Sequence, residues 1–164
     1  MDPFSRELNE LLVSTYREIT RIEELVLRSL SHNTLSISEL HMLDVVGREG
    51  CTVTDIAQSM GISMPSATIA VKKLEKKGYV TKEKDENDAR KVIIRLTMDG
   101  RKTEAVHRWF HRQMVKNVEQ SVPENEREML LHVIRRMNEF FQNKALELGE
   151  IYHLDEAGGQ EKKD

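Results

Sequence analysis

Apolar side chains return at three- and four-residue steps from the start of the chain: Phe4, Leu8, Leu11, Leu12, Ile19, Ile22 and Val26 predict a long amphipathic helix ending near Ser31. A second helix, carrying Leu40, Leu43 and Val46, can be capped by Ser36 or Ser38 and is closed by turn residues from Gly47 to Gly50. Thr52 or Thr54 then opens a short helix through Met60, and Gly61 supplies a turn. Ser63 caps a further helix with Pro65 in its first turn, where a missing N–H costs nothing. Two short helices joined by a glycine-containing turn form a helix-turn-helix.

Beyond Gly78 the pattern changes. Tyr79-Val80-Thr81 and Val92-Ile93-Ile94-Arg95-Leu96 are β-branched runs on either side of the polar stretch Lys84 to Arg90, which suits a hairpin tip, and the hairpin would form a wing. Thr97 can cap a long helix from Asp99 to about Ser121, and Pro123 opens a last one bearing Leu130, Val133, Ile134, Met137, Phe140 and Phe141. The polar segment from Asp155 to Asp164 reads as a disordered tail. The expected fold is mainly α with a small β-hairpin wing, a winged helix-turn-helix. It is one domain over 1–154, with the lobe at about 36–97 and dimerisation helices at 1–31 and 98–148. The apolar stripes of the terminal helices need a surface to bury them, and a homodimer through the N- and C-terminal helices supplies one.

Composition narrows the class. With 164 residues, 38% hydrophobic and 32% charged, the chain holds one domain of ordinary size. No apolar run approaches the ~18 residues of a membrane span and no basic-then-apolar leader opens the sequence, so the expectation is a cytoplasmic protein without membrane contact. The single cysteine, Cys51, excludes an internal disulfide and a cysteine-based zinc finger.

The net charge of −3 hides an asymmetry. Between Met64 and Arg95 there are nine Lys/Arg against five Asp/Glu, whereas the remainder carries 16 against 23. A basic element on an acidic body points to double-stranded DNA. On a helical wheel, Ser63, Ala67, Ala70, Val71 and Leu74 make a narrow face of mostly small residues that can pack inward. Opposite lie Pro65, Ile69, Lys72 and Lys76, flanked by Ser66, Thr68 and Lys73. Short groups toward the N-terminal half and cations toward the C-terminal half suit a recognition helix in a major groove. Ser66 and Thr68 can hydrogen-bond base edges, and Ile69 can touch a thymine methyl. Lys84, Arg90 and Lys91 belong to the wing, where an Arg can enter the minor groove.

These residues resemble the MarR family of bacterial winged-helix regulators. The likeness is carried by Val53-Thr54-Asp55-Ile56-Ala57, Gly61-Ile62-Ser63, Lys73-Leu74-Glu75-Lys76-Lys77-Gly78-Tyr79-Val80, Asp85 with Asp88 and Arg90, Leu96-Thr97 and Gly100-Arg101. It implies a homodimer on a pseudopalindromic operator, usually a repressor. The family's wing commonly reads Asp-Arg-Arg. Here it is Asp88-Ala89-Arg90, so Asp88 is the expected orienting partner of Arg90 and Ala89 removes one cation.

Two effector classes remain open. His107 and His111 stand four apart on one predicted helix and can share a metal, while His41 lies on the second helix and Glu23 and Glu24 on the first. This set resembles the zinc-uptake repressors of the family, which hold Zn²⁺ with a Glu, a His and a His-x-x-x-His pair on the corresponding helices. Along the whole chain the likeness is closer to the family's fatty-acid-synthesis repressors of Gram-positive bacteria, through Ile22-Glu23-Glu24, Ile37-Ser38-Glu39-Leu40-His41, Asp44-Val45-Val46-Gly47 and His107-Arg108-Trp109-Phe110-His111. That subgroup carries the same histidines without an implied metal role. It responds to acyl chains on acyl carrier protein, which implies an apolar channel and cations such as Arg101, Arg108 or Arg112. The expected function is therefore a repressor of a fatty-acid-synthesis or related operon with a lipid or acyl effector, the alternative being a zinc-responsive repressor of metal uptake. A protein-interaction module without DNA binding is the reading from another class. Gly-x-Ser-x-Gly, phosphate-cradling Gly-rich loops and His-Glu-x-x-His are absent from the sequence, so an enzyme is not expected. Cys51, with only Arg48 as a nearby cation, reads as a structural thiol rather than a redox sensor.

Overall fold

The computed structural model describes residues 1–29, 35–85, 88 and 90–158, with side chains as far as Leu148. Its elements run α1 (Pro3–Ser29), α2 (Ile37–Val46), α3 (Val53–Met60), α4 (Met64–Lys76), β1 (Val80–Lys84), β2 (Val92–Leu96), α5 (Met98–Ser121) and α6 (Glu124–Gly158). The expected helix end near Ser31 lies outside the described residues, as does Ala89. The described residues group into two compact units, one to Gln113 and one from Met114 onward.

Local chemistry fixes the ends of the lobe helices. Ser36 and Thr52, rather than Ser38 and Thr54, cap α2 and α3. Each makes a capping box in which the serine or threonine oxygen accepts a backbone N–H and a carboxylate, of Glu39 or Asp55, accepts one in return. Gly61 takes the left-handed conformation (φ 62°) that lets the chain reverse between α3 and α4. Ser63 caps α4, with Pro65 in the first turn. Thr97 caps α5 and also donates to the Gly78 carbonyl at 2.7 Å.

In the first unit the core is Leu27, Leu40, Leu43, Val46, Ile56, Ala67, Val71, Leu74, Val80, Ile94 and Leu96. The inward face of α4 is narrower than the wheel suggested. Ala67, Val71 and Leu74 are buried and Ala70 is half-buried, but Ser63 is exposed, because an N-cap oxygen must sit over the helix end. The wing is longer than expected. β1 and β2 pair antiparallel from Val80↔Leu96 to Lys84↔Val92, so Lys82 to Lys84 are strand although exposed, held by ladder bonds and not by burial. Cys51 adds an isolated bridge to Ile94 on the other side of β2. Gly100 lets α5 start against the wing root: a Cβ there would stand 2.1 Å from the Tyr79 carbonyl oxygen.

The first unit leaves the stripe Phe4, Leu8, Leu11 and Leu12 of α1 exposed. In the second unit α6 exposes Leu131, Val133, Ile134, Phe140 and Phe141. α6 continues to Gly158, past Asp155, where the disordered tail was expected. Ile151 to Ala157 is a run of residues a helix accepts, and polarity alone does not end one. Residues 159–164 lie outside the described residues. No helix among the described residues is long and apolar enough to cross a membrane.

Candidate metal centre and nucleic-acid interface

Glu23 and Leu27 are the two buried residues of α1, one turn apart, and this phase decides between the adjacent glutamates. Glu23 points inward, whereas Glu24 is exposed and faces Arg28 at 3.9 Å, so Glu24 is not part of the cluster. Glu23 Oε1 lies 3.1 Å from His41 Nε2 on α2, and 3.3 and 3.6 Å from His107 Nε2 and His111 Nε2 on α5. One donor atom from each of these four residues falls within 4.8 Å of all the others.

Behind His107 stands a residue that the sequence reading missed. Asp44 Oδ2 is 2.6 Å from His107 Nδ1. A carboxylate can only accept, so Nδ1 carries the hydrogen and the Nε2 lone pair of the neutral ring faces the cluster. His107 is wholly buried, and its Nε2 meets Glu23 Oε1 and, at 3.0 Å, His111 Nε2. His111 in its neutral Nε2–H form donates to His107 Nε2, and His41 can donate to Glu23; a cation, a proton or a metal, can join the same atoms instead. Burial works against charge on His107, but Asp44 and Glu23 outweigh it and hold its pKa above the ordinary imidazole value. Burial and the neighbouring His107 push His111 the other way.

A divalent metal fits this donor set. Zinc takes imidazole nitrogen and carboxylate oxygen at about 2.0–2.2 Å, which puts neighbouring ligands about 3.4 Å apart in a tetrahedron, within the range of separations seen here. Asp44 is then the carboxylate that orients a ligating histidine through its other nitrogen.

The residues read from the sequence as a nucleic-acid face lie on α4 and the wing. Pro65, Ser66, Ile69, Lys72, Lys73 and Lys76 are exposed, and Thr68 is half-buried. Lys84, Arg90 and Lys91 are exposed on the wing. Asp88 organises the wing turn through the backbone: its carboxylate accepts the Arg90 N–H at 3.0 Å, its own N–H goes to Asp85, and its carbonyl accepts from Lys91. Asp88 thus orients Arg90 by shaping the turn. Glu39 was also not singled out in the sequence. Besides closing the α2 capping box, both its carboxylate oxygens lie 2.7 Å from Nζ of Lys77 at the end of α4, and both side chains are largely shielded, with exposures of 12% and 28%. Trp109, between the two α5 histidines, is 57% exposed.

The MarR family model matches residues 20–91, and over that stretch the chain is similar to winged-helix transcriptional regulators. Streptococcus pneumoniae FabT in complex with DNA has the same fold with a TM-score of 0.72 at 27% identity, over 85% of this chain and 98% of FabT. The HTH-type transcriptional regulator BilQ of Clostridium symbiosum is 29% identical over 66% of this chain and 76% of BilQ. The transcriptional regulator AdcR of Streptococcus pneumoniae is 26% identical over 59% of this chain and 67% of AdcR. Two further curated relatives are spanned over 59% and 38% of their length. Homodimerisation through the N- and C-terminal helices agrees with structures of this family and with the apolar stripes on α1 and α6.

Proposed function

We propose that the chain is a cytoplasmic, homodimeric DNA-binding repressor whose operator affinity is set by a divalent metal, with zinc the natural choice, held by Glu23, His41, His107 and His111. The observation that carries this reading is the convergence of four donor atoms around a fully buried His107 backed by Asp44. The metal would tie α1 and α5 to α2, the first helix of the DNA-binding lobe. On the DNA side, Pro65, Ser66, Thr68 and Ile69 face base edges. Lys72, Lys73, Lys76, Lys84 and Lys91 meet phosphates, and Arg90, set by Asp88, enters the minor groove. Residues 1–154 act as one dimeric domain on half-sites about 10 bp apart.

The test is elemental analysis of untagged protein followed by duplex binding with and without chelator. The expected result is one zinc per chain, absent from the His107→Ala and His111→Ala variants, and an operator affinity that changes on chelation. Metal-free protein that binds DNA tightly and ignores added zinc overturns the metal switch. That result would favour a second reading, an acyl effector, either free or carried on acyl carrier protein. One observation supports it: a groove of about 410 Å³ in the second unit, lined mostly by apolar residues that include Val118, Leu130, Leu131 and Ile134, together with Glu119 and Arg127.

A further inference from the structure

What the recognition helix can exchange with a base is limited by the bonds its side chains already make. Thr68 Oγ1 donates its one hydrogen to the Met64 carbonyl at 2.8 Å, so toward a groove it offers only acceptor lone pairs and a methyl group. The Ser63 and Ser66 hydroxyls bond each other at 2.9 Å, which leaves the pair a single hydrogen to give. Pro65 and Ile69, one turn apart on the exposed face, add an apolar strip, with Ile69 55% exposed. Arg, Asn and Gln do not occur between Met64 and Lys76, and the lysines of α4 begin only at Lys72, beyond the turns that meet base edges in a helix-turn-helix.

Guanine presents two acceptors in the major groove and is read mainly by bidentate cations. Adenine presents an amino donor, and thymine a methyl group. Resting on the DNA-binding reading above, we infer that the operator positions beneath the first two turns of α4 are A·T pairs, with Ile69 and Pro65 packing on the thymine methyl and Thr68 accepting from the adenine amino group. A cytosine amino group could also reach Thr68, but a G·C pair gives Ile69 no methyl group, so only A·T satisfies both side chains. The wing makes the same demand independently. The turn at Asp88 presents the exposed Arg90, and an arginine gains most in the narrow, strongly negative minor groove of A·T-rich DNA.

The experiment selects duplexes from a random-sequence pool with the full-length chain, then alters single groups in the selected site. Thymines at the inferred positions are replaced by deoxyuridine, which removes only the methyl, and adenines by purine, which removes only the amino group. The expected result is A·T at these positions and about a fourfold loss of affinity per half-site on methyl removal. Ile69→Ala should bind thymine and uracil duplexes equally, and Thr68→Val should bind adenine and purine duplexes equally. Ile69 is exposed and Thr68 half-buried, and circular dichroism checks that the variants fold. G·C pairs at these positions, or a parent protein indifferent to methyl removal, overturns the inference while leaving DNA binding intact. A pool that yields no enriched duplex, or binding unchanged by salt, instead overturns the DNA-binding reading on which the inference rests.

Discussion

The winged lobe and the junction of α1, α2 and α5 hold their helices by opposite means. In the lobe, Leu40, Leu43, Ile56, Val71, Leu74 and Ile94 are completely or almost completely buried, and polar groups stay at caps and surfaces. At the junction the buried groups are Glu23 and His107, which meet His41, His111 and Asp44. An apolar core tolerates no void but is indifferent to ligands. A polar core depends on what neutralises it, so the place where this protein is expendably stable is also the place where a small cation can act on it.

The sharpest way to break the contrast is to damage each core in its own currency. Leu74→Ala should cost about 2–5 kcal/mol by urea unfolding, whether or not metal is present, since it opens a cavity in the lobe. His107→Leu should cost about 3 kcal/mol in metal-free protein, because it removes a partner from the buried Glu23 carboxylate and takes the imidazole away from Asp44. Adding Glu23→Leu should recover most of that loss, which no second substitution beside Leu74→Ala would do by removing charge. If the double variant is no more stable than His107→Leu, the junction is not limited by its buried charge.

A smaller effect separates the shared carboxylate of Glu39 from an ordinary cap. Ser36→Ala should cost about 1 kcal/mol, as N-caps do. Lys77→Met should cost up to about 1 kcal/mol at pH 7. Burial opposes ionisation of Glu39, but Lys77 and the Ser36 N–H outweigh it and hold its pKa below the ordinary carboxylate value. The lowered pKa means the stabilisation is present above that value and is lost as the carboxylate protonates. The Lys77→Met penalty should therefore shrink as the pH falls below the ordinary carboxylate range in thermal melts followed across pH.

The smallest expected effect is at Cys51. Burial and the Asp55 charge push its thiol up to about 11, so alkylation at pH 8 should be slow in the folded protein and fast in urea. Rapid folded-state labelling would remove the distinction between this thiol and a redox sensor.

Most of the lobe was legible because its signals are local. Ser63, Pro65, Gly61 and Thr97 announce helix ends within a turn of where they act. The two paired strands of the wing were anticipated, but Lys82 to Lys84 were missed as strand, since backbone pairing across a solvent-exposed hairpin leaves no trace in hydropathy. At the junction the histidines were legible from their spacing, but the choice of Glu23 over Glu24 was not. The visible stripe of α1 follows Phe4, Leu8 and Leu11, which the chain leaves exposed, whereas the face that packs within the unit is marked only by Glu23 and Leu27. Asp44 could have been found as the acid one turn after His41, had the second nitrogen of a buried histidine been asked for its partner. The Glu39–Lys77 pair joins positions 38 residues apart and had no sequence signal.

Trp109 is the only tryptophan in the chain, and it sits between two of the four metal-donor residues on the same helix turn. All indole emission from the protein therefore originates from the α5 turn that carries these histidines, on the face turned away from them. A titration watched at the red edge of ultraviolet absorption would record events at the junction without a dye, a label or a second chromophore to subtract, and exchange of any bound ion could be timed in a stopped-flow cell on native material.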